Sequence, residues 1–169
     1  DVISVCGGEK SHLFECERTD TWLRQQARQG KTIGSISDGA FVVAQAGLFA
    51  GCRSTIHWKC LSAYREQHPD LDIRTSILET DGMRFSCAGG TASLDLMLNF
   101  VRQATDKETV GKIADNYFHD VVRGADQVQH MTSAYRFAGR DQLMTDTLLL
   151  MEAHLETPLR IAAICRQIG

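Results

Sequence analysis

The sequence predicts an α/β fold with a mostly parallel sheet, and three stretches carry that prediction. The run from Lys31 to Leu48, KTIGSISDGAFVVAQAGL, opens with the nearly uncharged strand pattern Thr32–Ile36. It then turns through Ser37-Asp38-Gly39 into an apolar set dense enough for a packed helix. Val2–Cys6 reads as a buried strand that ends at Gly7-Gly8. From Met83 to Val101 a short strand again leads, through Gly89-Gly90-Thr91, into a helical stripe. Open α/β sheets keep their ligands above strand ends of this kind.

The bulk composition sets the limits. A chain of 169 residues buries one good core with a small appendage. It is 43% hydrophobic and 23% charged, with 14 Gly and 2 Pro, as ordinary globular proteins are. No apolar run approaches the roughly 20 residues of a membrane span. No basic-then-apolar secretory leader opens the sequence. The net charge of −3 disfavours a chain that binds nucleic acid along its length. The six cysteines are scattered, with no CxxC pair, and read as free, mostly buried thiols of a reducing cytoplasm. Neither they nor the six histidines cluster, so neither a metal nor a cofactor is expected.

In order, Val2–Cys6 is a strand, and Thr19 or Asp20 caps a helix running to Gln29. That helix carries Trp22, Leu23 and Ala27 on one face and stops at Gly30. The strand Thr32–Ile36 and the helix Ala40–Leu48 follow. Ser54–Trp58 is a short extended piece, and a helix through Leu61 and Tyr64 runs down to His68-Pro69. Leu71–Leu78 and Met83–Cys87 are strands, with Asp81-Gly82 as the hairpin signal. Thr91 or Ser93 caps the next helix, whose Leu94, Met97, Leu98 and Val101 have the spacing of a buried stripe. Glu108–Val122 is a less apolar helix with Val110, Ile113, Ala114 and Tyr117 on one side.

Periodicity fades from Arg123 to Arg140, which reads as a linker between a domain at 1–122 and a helical segment at 141–169. In that segment Asp141–Leu155 regains a helical pattern with Leu143, Leu148, Met151 and Leu155 apolar. Pro158 breaks it, and Ile161–Ile168 starts a further amphipathic helix before Gly169. Helix, break and short helix is how a helix-turn-helix begins, but the helix that would enter the major groove does not follow. From Arg123 on, five arginines are balanced by five acidic residues, so this chain alone is not expected to hold DNA usefully.

The turn at Ser37 has the geometry of a nucleophile elbow, which lifts one side chain above the sheet ends. A serine hydroxyl attacks only with a hydrogen-bonded base, and a carboxylate such as that of Asp38 is a feeble proton acceptor near neutral pH compared with an imidazole. The pattern G-x-S-x-G is absent, since position 35 is Ser. His57 is the one plausible base, and the sequence leaves a Ser37–His57 dyad open.

Together these motifs resemble the GlxA-like branch of AraC-family transcriptional regulators, which join a class I glutamine-amidotransferase-like (PfpI-type) domain to a C-terminal pair of helix-turn-helix units. Gly7-Gly8, the elbow, STIHW at Ser54–Trp58, Asp81-Gly82 and SCAGGTASLDLML at Ser86–Leu98 carry the resemblance for the first domain. MEAHLETPLRIAAICRQIG at Met151–Gly169 is similar to the opening of the DNA-binding domain. The resemblance implies a flavodoxin-like sandwich and a chain shortened at both ends. The apex, Cys in catalytic relatives, is Ser37 here, which implies a binding site rather than an active site.

On that reading the domain senses a small metabolite. Gly8, Ser37, Asp38, Gly39, His57, Trp58, Gly89, Gly90 and Thr91 line the pocket, and backbone N–H groups from two glycine turns and a helix start receive an anionic group. Trp58 is either a stacking surface for a cationic head or a core aromatic. The wording of STIHW and CAGGTASLDLML resembles regulators of arginine, betaine or carnitine catabolism, which implies a zwitterionic amine or an amino acid. The resemblance also implies a homodimer, a cytoplasmic location, no membrane partner, and DNA bound through the full-length C-terminal domain. An amidotransferase- or hydrolase-like enzyme using Ser37 as nucleophile is the alternative, and an empty structural dimerisation module the third.

Overall fold

The computed structural model describes residues 1–125, 127–129 and 142–168. It divides into a first unit, Asp1–Gln129, and a second, His130–Gly169. The first unit is built on a four-stranded sheet in the order β1-β2-β6-β5. These strands are β1 (Val2–Gly7), β2 (Thr32–Ser37), β5 (Leu78–Asp81) and β6 (Arg84–Cys87). β1, β2 and β6 run parallel, and β5 joins β6 as an antiparallel hairpin whose two loop residues are Gly82 and Met83. The mostly parallel α/β sheet is therefore as expected. Leu71–Leu78 is not one strand: β4 covers only Asp72–Ile73 and pairs with β3 (Arg53–Ser54) in a separate two-stranded sheet.

Strand alternation divides the core in two. On one face Ile33 packs with Leu23 of α1 (Glu17–Arg28) and with Val42 and Ala46 in and just after α2 (Gly39–Gln45). On the other, Ile36, Phe85 and Cys87 meet Ala92, Leu96 and Phe100 of α4 (Ala92–Ala104). α5 (Lys107–Asn116) covers the outer side of α4 through Leu98, Val110 and Ala114. α2 is apolar all round because α3 (Leu61–Gln67) packs beyond it, with Tyr64 edge-on to Phe41.

Several element boundaries and faces differ from the expectation. α1 starts at Glu17 with Cys16 as its N-cap, ahead of Thr19, and Trp22 is 48% exposed while Leu23 is buried. α2 ends at Gln45, before Leu48. In α4, Leu94, Leu98 and Val101 face α5 as the stripe requires, but Met97 is exposed and the opposite side, with Ala92 and Leu96, is buried as well. The helix is sandwiched between sheet and α5, so a single stripe understates what it buries. α5 ends at Asn116, and Tyr117 is exposed. Of the cysteines, Cys87 is buried while Cys6 and Cys165 are exposed; all six are free.

The first unit also runs further than residue 122. Arg123–Gln129, read from sequence as linker, returns to the sheet: Ile77 N–H donates to the Gln127 carbonyl, and Gln129 N–H to that of Thr75. Residues 130–140 of the expected linker lie outside the described residues. In the second unit, α6 (Gln142–Ala153) and α7 (Ile161–Ile168) flank the break at Pro158. Leu143, Met151 and Leu155 of the expected stripe are exposed in that unit. Among the described residues no helix is long and apolar enough to cross a membrane, and no group of three or more His, Cys, Asp or Glu is placed to hold a metal ion.

Candidate functional site

Ser37 is the last residue of β2 and takes φ +55, the left-handed backbone that a side chain makes unfavourable by about 1–2 kcal/mol. The bend carries the chain directly from strand into α2. Glycine is required where α2 starts against the end of β1. A Cβ on Gly39 would lie 2.1 Å from the Val5 carbonyl oxygen, and one on Gly7 would lie 2.2 Å from Gly39 N. Gly39 is thus a packing residue of the elbow.

The Ser37 hydroxyl has one long contact among the described residues. Ser37 Oγ donates to Asp38 Oδ1 at 3.5 Å, the outer limit of a hydrogen bond. Asp38 also stands beside Cys60, whose thiol burial pushes up to about 11, the carboxylate's hydrogen bond and charge acting in the same sense. Among the described residues no hydrogen bond joins Ser37 to His57. His57 Nδ1 accepts the Lys59 N–H at 3.3 Å instead, which leaves Nε2 as the protonated nitrogen of the neutral ring. Cys87, in register with Ile36, has its thiol pKa raised by burial, against the backbone N–H groups of Gly89 and Ser37 that favour the thiolate.

Beside the apex lies a cavity of about 140 Å³. It is lined by His57, Trp58, Gly89 and Thr91 from the expected set, and by Ile77, Ala88, Ala92, Arg123 and Gln129. Ser37 borders it from behind Gly89, which is held at φ +85 with its missing Cβ directed at Ser37. Gly90 makes the same turn at φ +57 but has open space around it. Trp58 is 42% exposed, with His57 stacked on it at 5.7 Å and Lys59 Nζ 5.7 Å from its ring centre. It is neither a core aromatic nor an unoccupied stacking surface.

One of the expected backbone donors, Gly8 N–H, is taken locally. Gly8 N–H donates to Ser11 Oγ, closing a local turn in which Ser11 Oγ donates back to the Gly8 carbonyl. Ala92 and Ser93 N–H groups donate to the Gly89 and Gly90 carbonyls. Arg123 brings a cationic side chain to the cavity. Arg123 Nε and Nη2 grip Asp95 Oδ2 at 2.9 and 2.6 Å, and Nη2 also donates to Thr91 Oγ1. Asp95 is fully buried in α4 and its Oδ1 receives His119 Nε2 and Arg123 N–H as well. Burial pushes the Asp95 carboxyl upward, but these donors outweigh it and hold it below the usual carboxylate value.

Gln129 lines the same cavity. Its Nε2 lies 2.8 Å from the Ile56 and Ser76 carbonyl oxygens and 2.9 Å from Thr55 Oγ1. Only an amide nitrogen can face two carbonyls, so Oε1 is fixed on the other side, buried and without a partner among the described residues. Sequence reasoning missed Asp95, Arg123 and Gln129. Polar residues after a fading helix read as linker, and a carboxylate on a helix reads as solvated.

Residues 1–103 match the model of the DJ-1/PfpI family. The chain belongs to that family. This DJ-1/PfpI chain is 34% identical over 147 residues to the HTH-type transcriptional regulator CdhR of Pseudomonas aeruginosa, covering 87% of the chain and 44% of the regulator. It is 34% identical over 169 residues to the HTH-type regulator GlxA of Rhizobium meliloti, covering 99% of the chain and 52% of the relative. Isonitrile hydratase of Pseudomonas putida is 34% identical over 113 residues, covering 64% of the chain and 47% of the enzyme. Among solved structures, an AraC family transcriptional regulator from Pseudomonas putida superposes with a TM-score of 0.63 at 25% identity, over 69% of this chain and 63% of that one. The resemblance read from the sequence is thus to the right family. The chain spans about half the length of the curated relatives it matches.

Proposed function

We propose that this chain is the ligand-sensing part of an AraC-type transcriptional regulator, with residues 130–169 leading into the DNA-binding domain. The observation that carries the reading is the pairing of a base-less apex with a polar cavity. Among the described residues Ser37 Oγ has only Asp38 at the edge of hydrogen-bond reach, while Arg123, His57 and Gln129 line a space beside it. Such a site holds a small zwitterionic metabolite and does not attack it. The names of the relatives support the same reading, and the implied protein is cytoplasmic and acts on DNA as a homodimer through its complete C-terminal domain.

A thermal-shift and calorimetric screen of amino acids and quaternary amines tests the reading. A ligand that binds only the folded state raises the melting temperature, and one at a hundred times its Kd stabilises by about 2.7 kcal/mol. The absence of any binder at millimolar concentration would leave the structural-module reading standing. Light scattering at micromolar concentration tests the dimer, which a monomer mass would refute.

The similarity to isonitrile hydratase favours a second reading, an enzyme working from the same apex. Turnover of an isonitrile or of a p-nitrophenyl ester that disappears in Ser37→Ala would establish it in place of the first.

A further inference from the structure

We propose that a second cavity, at the opposite end of the sheet from Ser37, binds a phosphate dianion between Arg24, Arg28 and Arg84. The phosphate is either free or carried on a small metabolite. This site is independent of the sensor reading of the elbow cavity.

Two separate stretches of sequence bring the arginines together. Arg24 and Arg28 stand four residues apart on α1 and therefore on one face of it. Arg84 opens β6 in register with Ile33, near the start of β2, whereas Ser37 ends β2. With Ala27 and Ala46–Leu48 they line a cavity of about 350 Å³, at the lower end of the range for small-molecule sites. No carboxylate lines it among the described residues.

The fold leaves this charge uncompensated. Arg24 and Arg28 have no hydrogen bond or ion pair among the described residues. Asp20, one turn before Arg24, forms no ion pair with it: Oδ2 takes Gln45 Nε2, and Oδ1 has no partner among the described residues. Asp81, opposite Arg84 in register, receives the Arg53 N–H at 3.0 Å. Helix C-termini, the other usual partners of arginine, are closed by backbone. The N–H groups of Gln29, Gly30 and Lys31 donate to the Gln25, Ala27 and Gln26 carbonyls, and those of Ala46, Gly47 and Leu48 to the Val42, Ala44 and Val43 carbonyls.

Arg84 is the anchored member. Its Nε donates to the Leu48 carbonyl at 3.1 Å and its Nη1 to that of Met83 at 2.9 Å, which fixes the guanidinium beside a residue of the cavity wall. A same-sign pair at i,i+4 destabilises a helix, and an anion between the arginines relieves that repulsion. A phosphate monoester carries three acceptor oxygens and a charge of about −2 above pH 7, one oxygen for each guanidinium. A single carboxylate has two oxygens and one charge.

Isothermal titration of the full chain in low salt at about pH 7.5 tests the site with inorganic phosphate, glycerol 3-phosphate, succinate and a DNA duplex of random sequence. Calorimetry is the readout because phosphate at high concentration stabilises any fold by exclusion from its surface. The expected result is one site for inorganic phosphate or glycerol 3-phosphate with a Kd below about 1 mM, the tighter of the two assigning the source of the group. Arg24→Gln combined with Arg28→Gln should weaken binding at least about tenfold and leave the unliganded melting temperature unchanged or higher, since it removes repulsion and no contact. Arg18→Gln, on α1 outside the cavity, should leave binding unchanged. A lower unliganded melting temperature in the double variant would mean that the pair serves the fold and would overturn the inference. Succinate binding as tightly as either phosphate would overturn the assignment to phosphate. A duplex competing for the same arginines would overturn it in favour of the nucleic-acid backbone. No binding, or binding indifferent to Arg24 and Arg28, would overturn it outright.

Discussion

Gly89 stands directly against Ser37: a methyl group added at Gly89 would lie 2.7 Å from Ser37 Cβ and 3.0 Å from its Oγ. The two residues come from different strand ends, and both take positive φ. The elbow and the second glycine turn are therefore one packed unit, and the cavity wall at Gly89 is set by the apex behind it.

This contact predicts a contrast between neighbours. Gly89→Ala incurs both the left-handed penalty of about 1 kcal/mol and an overpacking cost of about 1–3 kcal/mol against Ser37. Gly90→Ala, at φ +57 with nothing within 4 Å, incurs only the first. Urea denaturation should give Gly89→Ala the larger loss by at least about 1 kcal/mol. Equal losses would mean that the two turns are not packed together.

Asp95 supplies a pH signature. Its donors hold the folded carboxyl below the ordinary value of about 3.9 despite burial, so the ionised form is the one the fold favours. The sign follows: this contribution is complete above about pH 4 and is lost as pH falls through the lower, folded value. Asp95→Asn should destabilise by about 2–3 kcal/mol at pH 7, since Arg123 is left with a partner that carries no charge. The gap between variant and parent should shrink as the pH is lowered from about 5 toward 2. A gap independent of pH would show that Asp95 contributes packing alone.

The sheet and its elbow were legible because a nearly uncharged run, a small-residue turn and an apolar helix are local features. The cavity's polar side chains were not, because their partners are remote in sequence. Arg123 meets Asp95 across 28 positions and Gln129 meets Thr55 across 74. No spacing rule joins such pairs. Trp22 and Tyr117 share a face with buried apolar residues yet are exposed, because periodicity gives the direction of an apolar stripe but not its width. Gly8 was placed at the site by its motif, yet the hydroxyl three residues later takes its N–H. The polarity of Gln129 suggests solvent, whereas its side-chain amide donates to the Ile56 and Ser76 carbonyls.

The thiols should separate by reactivity. Cys6 and Cys165 are exposed, and the Thr19 hydroxyl and N–H that face Cys16 lower its pKa. Cys60, pushed to about 11, holds roughly a hundredfold less thiolate at neutral pH than an ordinary cysteine, and Cys87 is both buried and raised. Timed alkylation with iodoacetamide at pH 7.5, read by peptide mass spectrometry, should label Cys6, Cys16 and Cys165 first. Asp38→Asn should speed Cys60, because it removes the charge that opposes its thiolate. An unchanged Cys60 rate would show that burial alone governs it.

The apex serine gives the sharpest chemical expectation. For an acyl group to reach Ser37 Oγ, a base must remove its proton as the carbonyl is attacked, and Asp38 at 3.5 Å is distant and weak for that task. His57 is turned to the Lys59 N–H. Incubation with p-nitrophenyl acetate should therefore give the same slow release of nitrophenolate from the parent and from Ser37→Ala, with no acyl mass on the peptide that carries Ser37. Removing the weak Ser37–Asp38 contact should change stability by less than about 1 kcal/mol. A burst of product matched by a trapped Ser37 ester would place a base within reach of this oxygen and make the elbow catalytic.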